Sequence, residues 1–261
     1  MKKKLIVFLT CQRSGSSVSA EIFHRHGMSL GTSQFFAATD ENPLGCVEAM
    51  SVFHIDHTLH RMIYGFQEDG IWYRWAGEIM KNRDVIRPDI AQIPSALIEQ
   101  GEDAIRAMLD WDEATCCGVK HPAMCLFWFY WQHVFSRFSD LEIHPVFLLR
   151  PPSGIAASYA RRSNDPGVEF DMDNVIEVYL RRLLEIYHTW QGPKNIIRFD
   201  DRHYANDLKK AIDDCGLTWN QNCFSNTFNR EKTIEVVNTV SHPVQNIYDQ
   251  WLQLAEATQN L

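Results

Sequence analysis

The segment that most constrains this chain is its start, where the apolar run Leu5–Leu9 gives way to Thr10-Cys-Gln-Arg-Ser-Gly-Ser-Ser-Val18. A short apolar run without alternation suits a strand buried on both faces, the kind found inside a parallel sheet. The residues after it have the chemistry of a tight turn into a helix. Gly15 allows the backbone to reverse and approach an anion closely, and Ser16 and Ser17 bring hydroxyls to a helix start. A strand that turns directly into a helix aims backbone N–H groups and the positive end of the helix dipole at one point. Arg13 adds a permanent cation with forked donors. The stretch Gln12–Val18, including Ser14, is therefore expected to hold a phosphate of a nucleotide-type ligand. It is not a Walker loop, because Ser16 stands after a lone Gly15 where that pattern places lysine after a second glycine. It is not GxGxxG, and Cys11 leads after five residues to Ser17 rather than to the arginine of a cysteine-phosphatase loop.

Further apolar runs predict strands at Cys117–Val119, Ile143–Leu149 and Asn195–Phe199, with the first strand over Leu5–Thr10. Helical patterns fall at Ser17–His26, Val47–Tyr64, Ser95–Leu109, Ala123–Phe138, Ser153–Arg162, Met172–Trp190, Tyr204–Cys215 and Val244–Ala257. Strands alternating with helices predict an α/β, three-layer, P-loop-like fold with a central, mostly parallel β-sheet flanked by helices. The 261 residues, 45% of them hydrophobic, are read as a single domain over 1–261. Pro88 to Pro94 and Asn164 to Asp171 read as surface loops.

The net charge of −8 argues against a nucleic-acid partner, which would need a broad basic surface. Seven cysteines, odd in number and without CxxC spacing, fit a reduced chain in the cytoplasm. The run after Met1-Lys-Lys-Lys is too short for a secretory signal, and no segment reaches membrane-spanning length, so no stable membrane insertion is expected. His54, His57 and His60 invite a metal reading, but His54 and His60 do not share a helix face well, and no metal is expected. Phe127-Trp-Phe-Tyr-Trp131 covers all sides of a helix and reads as core, whereas Trp72, Tyr73 and Trp75 are candidates for an acceptor pocket.

A second phosphate site is expected where Arg150 ends a strand and Ser158 lies two turns into the next helix, begun by Pro152 and Ser153. Together the two stretches resemble the 5′-phosphosulfate loop and 3′-phosphate motif of sulfotransferases that use 3′-phosphoadenylyl sulfate (PAPS). Other segments follow that family's order: His26-Gly-Met-Ser-Leu-Gly31, Glu41-Asn-Pro-Leu-Gly-Cys-Val-Glu48, Gly118-Val-Lys-His-Pro122 and Ile196-Ile-Arg-Phe-Asp-Asp201. The resemblance runs over about residues 4–217 and is to bacterial-type members. Cys46 and Val47 stand in place of aromatics, Phe199 in place of tyrosine, and His121 where aspartate is frequent.

The resemblance implies transfer of a sulfo group from PAPS to a hydroxyl or amine of a small molecule, carbohydrate or lipid, leaving the bisphosphate PAP. Arg13, Lys120 and the helix start at Ser16–Ser17 suit the charge that grows on the leaving phosphate. Cofactor contacts are expected from Gln12–Val18, Arg150, Ser158 and Phe199. The base that takes the acceptor's proton is expected to be Glu48, then His121, with His54 and His57 as further candidates. Two alternatives are a phosphotransferase of the P-loop class and a non-catalytic nucleotide-binding relative.

Overall fold

The computed structural model describes residues 2–31, 47–64, 87–109, 114–160, 172–228 and 240–259. Four strands make one sheet: β1 (Lys3–Thr10), β2 (Cys116–Lys120), β3 (Leu141–Leu149) and β4 (Asn195–Arg198). Their spatial order is β2-β1-β3-β4, and every neighbouring pair is parallel. In chain order the helices are α1 (Ser16–Arg25), α2 (Met50–Tyr64), α3 (Ser95–Leu109), α4 (Trp128–Ser136), α5 (Pro152–Ala160), α6 (Met172–Thr189), α7 (Tyr204–Asp214), α8 (Gln221–Thr227) and α9 (His242–Gln259).

The missing alternation of Leu5–Leu9 has a direct cause: all five side chains are 0% exposed. Leu5, Val7 and Leu9 face one core, built with α2, α3, α4, α5, α6 and α9, while Ile6 and Phe8 face the other, built with α1, α7 and α8. That is the three-layer arrangement expected from the strand and helix order. Fully burying a side chain of this size contributes about 1.5–3 kcal/mol, so β1 is among the most stabilising stretches of the chain. No helix of the described residues is long and apolar enough to cross a membrane.

The register brings the strand ends to one edge, with Phe8 opposite Lys120, Thr10 opposite Leu148 and Leu149 opposite Arg198. Phe199 extends the β4 ladder by donating its N–H to Leu149 O at 2.6 Å. β4 is tied to α7 by a buried pair in which Arg198 donates from Nε and Nη2 to the two Asp207 carboxylate oxygens at 2.7 and 2.8 Å. Asp207 also accepts the Arg198 backbone N–H.

Several boundaries differ from the sequence expectation. The Ala123–Phe138 helix is divided into a 3-10 turn over Pro122–Cys125 and α4, because Pro122 fixes φ and starts a tight turn at the strand end. The helix expected from Val47 starts only at Met50, since Val47 has a φ of 50°. Helix α8 was not anticipated; Asn220 caps it by accepting the N–H groups of Asn222 and Cys223, and only Phe224 of its seven residues is buried. A 3-10 turn over Ile90–Gln92 occupies the Pro88–Pro94 loop. The Asn164–Asp171 loop, Trp72, Tyr73, Trp75 and the Glu41–Cys46 part of the Glu41–Glu48 segment lie outside the described residues.

Asp207→Ala would leave the Arg198 guanidinium buried without its carboxylate, so urea unfolding is expected to show a loss of roughly 3–5 kcal/mol. At the opposite edge of the sheet, His144 Nε2 lies 2.7 Å from Asn195 Oδ1, and burial pushes its proton affinity down. A depressed histidine contributes stability that is present above the unfolded value of about 6.5 and is lost as the pH falls below it. Melting temperatures measured from pH 8 to pH 5 are expected to fall more steeply for the native chain than for His144→Gln.

Candidate functional site

The loop between β1 and α1 is shaped by two residues in left-handed conformation, Arg13 with φ 66° and Gly15 with φ 83°. Gly15 suits that conformation; Arg13 adopts it against its preference, and such strain gathers at ligand sites. Gly15 is also required by space. A Cβ there would lie 2.5 Å from the Phe199 ring, so Phe199 packs directly on the turn. No side chain caps the first turn of α1, which leaves its N–H groups directed at the loop. The Ser14 hydroxyl is buried and has no hydrogen-bond partner among the described residues.

The end of β3 and helix α5 are fastened to this loop at three points. Ser158 Oγ accepts a hydrogen bond from Arg13 Nε at 2.9 Å, Arg150 Nη1 donates to Arg13 O at 2.8 Å, and Tyr159 OH donates to Gln12 Oε1 at 2.8 Å. Arg150 also lies over the Phe199 ring, 5.6 Å from its centre. The sequence reading had Arg150 and Ser158 meeting each other on a common phosphate; here both meet on Arg13, one on its carbonyl and one on its guanidinium. The Arg150 and Ser158 segment is therefore joined to the β1–α1 loop through Arg13. Val18 is half-buried against the α1-side core.

Across the loop, the end of β2 delivers Lys120. Its ammonium donates to Ser17 Oγ at 3.2 Å and to Glu48 Oε1 at 2.5 Å. The Lys120 and Glu48 side chains are 3% and 10% exposed, so the pair is held largely away from water. The next residue, His121, points elsewhere: its ring is fully buried, Nδ1 is hydrogen-bonded to Asp56 Oδ2, and its edge meets Phe53. Asp56 Oδ1 accepts from Trp131 Nε1 at 2.7 Å. Burial raises the Asp56 carboxyl above the ordinary carboxylate range, opposed by the His121 charge and by the hydrogen bonds from His121 and Trp131.

Asp56, Tyr159 and Trp131 are participants that sequence reasoning did not pick out. For Asp56 a signal existed. Val52, Ile55 and Leu59 mark the apolar face of α2, and Asp56 falls on that same face, where a carboxylate needs a partner. The three histidines of α2 diverge: His54 is exposed, His57 is half-buried against Phe53, and His60 is buried against Phe127. Among the described residues no group of His, Cys, Asp or Glu is arranged to hold a metal ion. Cys11, Cys116, Cys117, Cys125, Cys215 and Cys223 form no disulfide, and burial pushes the Cys116 thiol up to about 12.

These elements coincide with solved structures of a particular kind. The chain shares its fold with sulfotransferase domains. One is the sulfotransferase domain of the curacin biosynthetic pathway, with a TM-score of 0.55 and 12% identity over 95% of this chain and 97% of that one. Another is the sulfotransferase domain of the Synechococcus PCC 7002 olefin synthase, with a TM-score of 0.56 and 11% identity over 97% and 96%. Identities this low speak to the fold alone. No family model matches the chain, and no curated protein matches it.

Gly15→Ala places a methyl group into the Phe199 ring at a backbone conformation that alanine avoids. It is expected to destabilise the chain by roughly 1–3 kcal/mol and to abolish anion binding at the loop. Thermal melting with and without added phosphate measures both effects.

Proposed function

We propose that this chain is a sulfotransferase that moves a sulfo group from PAPS to a hydroxyl or amine of a small-molecule, carbohydrate or lipid acceptor. The observation that carries the reading is the meeting of Arg13 with Arg150 and Ser158, and of Lys120 with Ser17, about a helix start that has no Walker lysine. A ligand phosphorylated at both ends of a ribose matches two such clusters better than a linear triphosphate. The buried Ser14 hydroxyl, which has no hydrogen-bond partner among the described residues, fits the same ligand. Likeness of fold to two sulfotransferase domains agrees with it.

When bound, PAPS supplies the sulfo group, and its 5′-phosphate is the leaving group. In this reading Gln12–Val18 hold the 5′-phosphate by backbone N–H groups and hydroxyls, and Arg150 with Ser158 holds the 3′-phosphate. Phe199 keeps the turn at Gly15 closed beneath them. Arg13 and Lys120 neutralise the charge that collects on the 5′-phosphate as its oxygen–sulfur bond breaks. Glu48 takes the proton of the acceptor hydroxyl as the new oxygen–sulfur bond forms. His121 is the less suited base, because its ring is committed to Asp56 in the core.

Calorimetric titration tests the reading. Adenosine 3′,5′-bisphosphate is expected to bind without magnesium and far more tightly than ATP. Arg150→Ala is expected to weaken it by roughly tenfold to a hundredfold, the worth of a hydrogen bond to a charged group. Unchanged affinity in that variant contradicts the second phosphate site, and magnesium-dependent ATP binding favours a phosphotransferase instead. Bisphosphate binding with no sulfo transfer to a broad acceptor panel favours a non-catalytic relative.

A further inference from the structure

Two of the contacts of the Lys120 ammonium have different roles. It donates to Glu48 at 2.5 Å and to the Ser17 hydroxyl at 3.2 Å, at the start of α1 where an anion is expected. An anionic group arriving at Ser17 therefore meets a lysine already engaged by a buried carboxylate, and meets that carboxylate's like charge as well. A buried ion pair holds while both partners stay, and either one left alone is strongly disfavoured. Exchange of Glu48 for the incoming anion keeps Lys120 paired throughout.

The backbone beside Glu48 is built for such an exchange. Val47 has a φ of 50°, a region β-branched residues avoid. Among the described residues, Val47 and Arg13 are the non-glycine positions with positive φ. One immediately precedes Glu48 and the other lies in the loop that carries Ser17's helix. The pair thus closes beside a residue held out of its preferred conformation, and an opening that turned Val47 back to negative φ would relax it.

We propose that the Glu48–Lys120 pair is a latch opened by the ligand: an anion seated at Ser17 takes Lys120 from Glu48, and the carboxylate turns away about Val47. The proposal rests on the nucleotide reading of Gln12–Val18 and adds an order of events to it. In the closed pair, Lys120 engages Glu48 Oε1. Once the donor is seated, Lys120 faces the leaving phosphate and Glu48 is released to the acceptor. Donor binding and exposure of the base become one equilibrium, coupled in both directions.

The experiment is calorimetric titration of the chain with adenosine 3′,5′-bisphosphate and with adenosine 3′-monophosphate, in parallel with thermal melting of each variant. Glu48→Gln and Glu48→Asp are each expected to bind the bisphosphate about tenfold tighter than the native chain, roughly 1.4 kcal/mol. The aspartate variant keeps the charge and shortens its reach, so its gain separates a latch from plain repulsion. Val47→Gly, which adopts positive φ without strain, is expected to move the other way and bind roughly threefold to tenfold more weakly. The monophosphate, which lacks the group that would reach Ser17, is expected to bind all four proteins alike. A gain in Glu48→Gln alone, or in neither glutamate variant, overturns the latch, and tighter or equal binding by Val47→Gly overturns the hinge. Bisphosphate binding by the native chain without those gains overturns the latch and leaves the nucleotide reading standing. Failure of every variant to bind the bisphosphate overturns both.

Discussion

The parallel register of β1 against both of its neighbours is the constraint on which the rest of the structure depends. Pairing Phe8 with Lys120 and Thr10 with Leu148 puts the ends of three strands at one edge. The Gln12–Gly15 loop leaves from the first, Lys120 closes the second, and Arg150 follows the third. A slip of one residue would reverse the faces of β1 and exchange Leu5, Val7 and Leu9 with Ile6 and Phe8 between two cores of different size. Register and site are therefore selected together.

Arg13 is the point at which this geometry becomes chemistry. Its backbone carbonyl accepts from Arg150 and its guanidinium donates to Ser158, so one residue of the loop holds both ends of the arrangement. Two guanidinium groups near one another would repel if nothing intervened. The carbonyl dipole, the Ser158 hydroxyl and the Phe199 ring face take up part of that charge. On the proposed reading, the charge that remains is what a doubly phosphorylated ligand would meet.

Legibility in the sequence followed the range of the interactions. The strand, turn and helix of residues 3–25 are local, and the apolar run with Gly15 and the serines announces them. Helix α3 is read to its end residues for the same reason, since its apolar positions repeat at helical spacing. The division of the Ala123–Phe138 segment was hidden by apolar residues on every side, which carry no period. In the site, Glu48 and Lys120 were legible singly but their contact was not, because 72 residues separate them. The meeting of Arg150 and Ser158 on Arg13 depends on the packing of α5 against the loop, and nothing in their spacing along the chain reveals it. Asp56 was the opposite case: its place on an apolar face was visible, and its partner His121 was not.

The hydrogen-bonded line from His121 through Asp56 to Trp131 joins three elements below the site: the end of β2, the middle of α2 and the body of α4. Because Glu48 lies two residues before α2 and Lys120 immediately precedes His121, the line helps set how far apart the two charged groups stand. The floor of the site is thus part of its address. A homologous chain that exchanged Trp131 for an aliphatic residue would lose a donor to a buried carboxylate, and α2 would have to settle at a new depth. Asp56, His121 and Trp131 should accordingly tolerate exchange only as a set.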